Sequence, residues 1–182
     1  TRAADSARRS NLRNVAAELD EASNLADAIV GECGSAHSKS TPLVAAFCGE
    51  GGRAERMAAE SSQRYAHGDV WNSVELPVIR SAAAITGGQP EKVIGLLAGA
   101  GPYERAYPEA AYLRGLAYLA LGRGSDAAHA FRQVLESKGS AWDLDYASIG
   151  LARPLMHSLA SAGLARASMM SGDTVTATNA GE

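Results

Sequence analysis

The stretch Pro108–Lys138, PEAAYLRGLAYLALGRGSDAAHAFRQVLESK, decides the fold. In its first half Ala111, Gly115 and Tyr118 fall at i, i+4 and i+7, and Tyr112, Leu116 and Leu119 repeat that spacing one residue later. A helix carrying two adjacent small or apolar stripes has to be covered on two sides. In the second half Ala127, Phe131, Val134 and Leu135 make a single stripe, with Arg123, Asp126, Arg132 and Glu136 facing away from it. The stretch therefore reads as an inner helix followed by an outer one.

Working outward, Gly122 sits at the break between the two halves, and Gly49, Gly88 and Gly172 stand at equivalent breaks. Each follows a helical, alanine-rich run, and their separations are 39, 34 and 50 residues. Recurrence at this period indicates stacked supersecondary units. Each glycine is expected in the left-handed conformation that ends one helix and turns into the next. Upstream, Val74, Val78, Ala82 and Ile85 form a stripe with Ile79 and Ala83 beside it, stopping at Thr86-Gly87-Gly88. Pro90 suits the first turn of the following helix, where a missing N–H costs nothing. Val93, Ile94 and Leu97 form its buried face. Residues 41–47 and 53–65 make a further hairpin around Gly49, and residues 11–32 are helical through Leu12, Val15, Ala16 and Leu19, then Leu25, Ala28 and Ile29. A long connection after Gly139 leads to a helix starting near Pro154 and running to about Met170. Runs of Val, Ile, Thr and aromatic residues with period two, which strands require, are missing.

The expectation is an all-α chain of stacked antiparallel helical hairpins. Residues 1–40 form degenerate N-terminal helices, 41–139 three hairpins, and 140–182 a long connection with an incomplete terminal unit.

Gly115, Tyr118, Ala127 and Phe131 reproduce a G-x2-Y-x8-A-x3-F core, and in this the chain resembles the tetratricopeptide (TPR) repeat family. Ala54, Val93 and Ala177 hold the position of Ala127 in the other units. Ala111 and Arg114 stand where the family usually has Trp and Leu. The runs LPVIRSAAAITGGQPEKVIGLL, YLRGLAYLALGRGSDAAHAFRQVLESKG and GLARASMMSGDT are similar to C-terminal TPR regions of large bacterial signalling proteins. These are chiefly eukaryotic-like serine/threonine kinases, with some winged-helix regulators. The resemblance covers about residues 41–177 and implies a TPR-like α-solenoid, a sensing or partner-binding region attached to an effector domain. No kinase activity is implied for this segment, which has no Lys–Glu pair, HRD-like loop or DFG. By the TPR pattern the concave face carries Val78, Ala82, Tyr112, Leu116 and Arg166. That lining is apolar with little charge, so an apolar or helical protein segment is the expected guest.

Composition narrows the alternatives. With 46% hydrophobic and 20% charged residues the chain is ordinary for a folded protein. A net charge of −3 gives no electrostatic reason to expect nucleic acid. The one basic cluster, Arg2, Arg8, Arg9 and Arg13, is interrupted by Asp5 and reads as a solvated helix face. No stretch approaches the ~20 apolar residues of a membrane span. The opening Thr1 points to a piece of something longer, and the chain stops inside its last unit. That would leave Leu164, Met169 and Met170 partly uncovered. Cys33 and Cys48 are too few for a disulfide framework and are expected as free thiols. The compartment is left open, with the cytoplasm favoured.

Candidate chemistry is sparse. Gly49-Glu50-Gly51-Gly52-Arg53 lacks the GK[ST] ending of a phosphate loop and reads as a helix–helix turn. Cys33 and His37 have ligand-like spacing, with Cys48 and His67 in reserve, but zinc needs paired short spacings, so no metal or other cofactor is expected. His129 belongs on the exposed side of an outer helix. Asp143 and Asp145 suit helix caps, although with His157 they mark the place where an enzyme of unrecognised class would keep its site. A repeat that simply packs on its own effector domain is the remaining alternative. The expectation is a non-enzymatic interaction scaffold.

Overall fold

The computed structural model describes residues 42–137 and 152–173. Every regular element among them is helical. Helix α1 spans Pro42–Phe47, α2 Gly51–Arg64, α3 Leu76–Thr86, α4 Pro90–Leu96, α5 Pro108–Ala120, α6 Gly124–Glu136 and α7 Ala152–Met170. A π-helical turn, Trp71–Glu75, leads into α3, and a 3-10 turn, Gly101–Tyr103, precedes α5.

Four of the helices, α1, α3, α5 and α7, end in one repeated way. Gly49, Gly88, Gly122 and Gly172 are the glycines with positive φ among the described residues, at 77°, 69°, 71° and 78°. At each, the residue after the glycine donates its N–H back to the carbonyl five residues earlier. The four bonds are Glu50 to Ala45, Gln89 to Ala84, Arg123 to Tyr118 and Asp173 to Ser168, at 2.8–2.9 Å. This satisfies a helix-end carbonyl that would otherwise lack a partner, and only glycine takes the left-handed backbone without strain. Helix starts are marked by proline, with Pro90 and Pro108 in the first turns of α4 and α5.

Burial follows the same register. Five residues after each glycine lie Ala54, Val93 and Ala127, and nine residues after lie Ala58, Leu97 and Phe131, all fully or almost fully buried. Ala177, the fourth member of the first set, is outside the described residues. Seven residues before the glycine come Ser81, Gly115 and Ala165, all small and buried. Small side chains here let neighbouring helices approach.

Packing runs in chain order. Helices α1 and α2, α3 and α4, and α5 and α6 pack as hairpins across their glycine turns. The first helices touch in series, α1 on α3, α3 on α5 and α5 on α7. Each second helix also reaches the next first helix, α2 on α3, α4 on α5 and α6 on α7. Two apolar clusters result. One is built from α1 to α5, with Val74, Val93, Leu97 and Leu113 at its centre. The other surrounds Phe131 with Ala111, Val134, Ala160 and Leu164. Leu116 on α5 packs against both.

Several details depart from expectation. Residues 69–86 form one helix interrupted by the π turn rather than a uniform stripe. Pro77 has no N–H to donate and its ring crowds the carbonyl four residues before it, which is a reason for the helix to widen there. Cys48 is disulfide-bonded, not a free thiol; the other cysteine, Cys33, lies outside the described residues. Leu164 is buried, whereas Met169 and Met170 are 40% and 50% exposed. The connection at 140–151, with Asp143 and Asp145, and the end of the chain from Thr174 also lie outside the described residues.

Arg114, a departure from the TPR pattern, has a visible reason for its place. Its guanidinium donates to the Leu97 carbonyl at the end of α4 (3.0 Å) and pairs with Glu104, both side chains being largely buried. Ser81 and Ser168 are fully buried and their hydroxyls lack a hydrogen-bond partner. An unsatisfied buried hydroxyl costs about 1–3 kcal/mol. Ser81→Ala is therefore expected to raise the melting temperature, and a calorimetric scan showing a lower one would mean that the hydroxyl is satisfied in solution.

Candidate functional site

An apolar concavity lies between α1, α2, the π turn, α3 and the start of α5. It has a volume of about 400 Å3 and is lined chiefly by Leu43, Tyr65, Trp71, Val78, Ile79 and Tyr107, with Glu75 and Glu109 at its edge. Such a volume falls within the roughly 300–1,000 Å3 of ordinary ligand pockets. The chain's local chemistry shapes it. Trp71 Nε1 donates to Ser62 Oγ (3.0 Å), and Ser62 Oγ donates to the Ala58 carbonyl (2.8 Å). This relay pins the indole to α2. The Tyr65 ring lies 5.9 Å from that of Trp71 at an interplanar angle of 38° and is itself exposed.

The expected concave residues divide between places. Val78 lines the groove. Ala82, on the same helix, is fully buried in the first cluster and presents nothing to solvent. Tyr112 and Leu116 are partly buried against the second cluster. The Tyr112 ring meets Phe131 edge-on at 6.0 Å. Arg166 is exposed on α7, near enough to Tyr112 to act on its hydroxyl electrostatically. Of the five, the groove takes in Val78 alone. Trp71, Tyr65 and Tyr107, which do line it, have no place in the repeat pattern. A tryptophan in a chain with 5% aromatics was the available signal.

The four repeat-pattern residues converge on one point. A Cβ on Gly115 would come within 2.7 Å of the Phe131 ring, and one on Gly163 within 2.5 Å. Phe131 is thus held between α5 and α7 by two glycines. Tyr118 is stacked beneath the Arg123 guanidinium, 4.6 Å from the ring centre, and Ala127 is buried in the same cluster.

Burial of Tyr112 pushes its phenol up to about 12, with Arg166 opposing the shift. An unfolded tyrosine titrates near 10. Below about pH 10 the phenol is neutral in both states and its contribution is intact. Between about 10 and 12 the unfolded chain ionises first, so stability falls as pH rises. Urea midpoints at pH 8 and pH 11 should therefore drop more for the wild type than for Tyr112→Phe. Equal drops would mean that the phenol is solvated.

The remaining candidates are structural or lie elsewhere. His157 Nε2 is 3.1 Å from the Val134 carbonyl, joining α7 to α6. His129 is exposed. Gly49 and Glu50 form the turn between α1 and α2, and Gly51-Gly52-Arg53 open α2, with an Arg53–Glu50 ion pair at 3.4 Å. Among the described residues no three His, Cys, Asp or Glu side chains cluster as metal ligands, and no helix is long and apolar enough to cross a membrane. Cys33 and His37 are outside those residues. No known protein family, curated protein or solved structure matches the chain.

Proposed function

We propose that the chain is a protein-interaction scaffold of the TPR type, serving as the sensory or regulatory region of a larger bacterial signalling protein such as a serine/threonine kinase. The apolar groove beside Val78 carries this reading. It offers aromatic and aliphatic side chains to a guest and only carboxylates as charged groups. That combination suits the apolar face of a helical protein segment better than an anion or a nucleic acid. The stacking of first helices in series and the repeated glycine turns support the TPR assignment, as does the small buried residue seven positions before three of the four turns. The kinase or regulator context comes from the resemblance of the three runs quoted above.

Selection of helical peptides from a displayed library on the intact chain tests the reading. Selected peptides should share apolar residues at i, i+3 or i+4 and i+7. Val78→Asp should weaken their binding at least about tenfold, equivalent to 1.4 kcal/mol. Failure to enrich any peptide, or peptides indifferent to Val78→Asp, would remove the groove as the binding surface.

A further inference from the structure

We infer that Pro77 is the positioning residue of the groove, which is taken as the binding surface on the reading above. By holding the π turn at Trp71–Glu75, Pro77 sets the Trp71 indole in the same wall as Val78 and Ile79. Three pairs from this one helix line the groove: Val70 and Trp71, Val74 and Glu75, Val78 and Ile79. The step from pair to pair is four residues each time. In a regular α-helix a step of four overshoots a full turn by about 40°, so Trp71 and Ile79 would stand about 80° apart. A wider turn closed by i→i+5 hydrogen bonds takes up extra residues, and a step of four across it falls short of the full circle. The Leu76 N–H donates to the Trp71 carbonyl in this way. The shortfall offsets the overshoot, and the three pairs share one wall.

Both ends of this helix are tied to other parts of the chain. Upstream, Trp71 is bonded to Ser62 of α2, and Asn72 Nδ2 donates to the Ala66 and Gly68 carbonyls, each at 3.1 Å. Downstream, the Thr86 hydroxyl donates to the Ala46 carbonyl of α1 at 3.0 Å, and Arg80 pairs with Glu55 of α2. Between these ties the π turn decides the register, and Pro77 decides the turn. In an α-helical turn residue 77 would donate to the Ser73 carbonyl; proline cannot, and its ring would press on that carbonyl. Pro77 is only half-buried, so its effect is on the backbone and not on the filling of the core.

Alanine at 77 supplies the N–H and removes the ring, and the α-helix then runs on through residues 71–75. The change amounts to one residue's rotation, about 100°. The upstream ties are side-chain hydrogen bonds of exposed or part-buried groups and are the ones to give way. The indole then swings out of line with Val78 and Ile79, and the wall is broken. The proline therefore acts in opposite senses on the two properties of the chain. An interior proline and a π turn both weaken a helix, yet together they shape the binding wall. Activity and stability part company on mutation where geometry is held in this way.

The test places Pro77→Ala in the full chain, with Trp142→Phe in variant and parent alike so that emission reports Trp71 alone. The melting temperature is expected at or above that of the parent, while Trp71 emission moves to longer wavelength and its quenching by acrylamide rises. Affinity for a helical peptide from the selection above should fall at least about tenfold. Ser62→Ala, which frees the indole but leaves the π turn in place, should weaken binding with no gain in melting temperature. Unchanged Trp71 emission and quenching in Pro77→Ala overturns the inference, because the turn then keeps its register without the proline. So does a parallel fall of melting temperature and affinity, the mark of a proline that is merely structural. Full affinity in a variant whose indole has moved overturns it as well. If the parent binds no helical peptide the scaffold reading fails, and Trp71 emission still decides whether Pro77 sets the wall.

Discussion

Phe131→Ala is expected to destabilise the protein by about 3–5 kcal/mol, the usual range for emptying a buried phenylalanine site. The ring is fully buried and fills the space between Gly115 on α5 and Gly163 on α7. With the ring removed, Gly115 and Gly163 face each other across a void. A loss of this size is comparable to the whole stability of many domains. The variant should therefore show a large fall in its urea midpoint. A midpoint within about 0.5 kcal/mol of the wild type would mean that the second cluster is not formed in solution.

Gly115→Leu should be nearly as damaging for the opposite reason. Its Cβ alone would sit 2.7 Å from the Phe131 ring, and that ring is closed in on its other side by Gly163. Overpacking of this kind costs about 1–3 kcal/mol or more. The two substitutions should also correct one another, because a leucine at 115 can enter the volume that Phe131→Ala vacates. In a double-mutant cycle the combined loss is expected to be smaller than the sum by at least about 1 kcal/mol. His129→Ala, on the exposed side of α6, is the control and should change stability by less than about 0.5 kcal/mol. Strict additivity at 115 and 131 would contradict the packing described.

Much of this architecture is legible in the sequence because glycine and helical periodicity are local signals. A glycine that ends a helix depends on the backbone within five residues, so Gly49, Gly88, Gly122 and Gly172 could each be placed without knowing the tertiary fold. Gly115 and Phe131 were readable through their spacing within one hairpin. Gly163 was not, since its partner lies 32 residues earlier and across the long connection. The groove was legible only in part. Val78 belongs to a visible stripe, but Trp71 reaches the site through the widened turn before Pro77, a shift in helix register with no periodic signature, and Tyr65 reaches it from the end of α2. Arg114 looked like a departure from the repeat. The carbonyl and carboxylate it serves, on Leu97 and Glu104, come from the neighbouring unit. The disulfide at Cys48 could not be read from two isolated cysteines, because spacing alone says nothing about their approach.

The chain-order packing also has a kinetic consequence. Among the described residues each helix packs chiefly on helices one or two places away in order, so its main partners are near in sequence. The entropy of closing large loops is thus small at each step, a topology associated with rapid folding. The α5–α6 hairpin can serve as a starting point, with α4 and α7 added to either side of it. Growth by accretion suits a polypeptide that emerges from the ribosome one end first. Each new hairpin finds the face it needs already made.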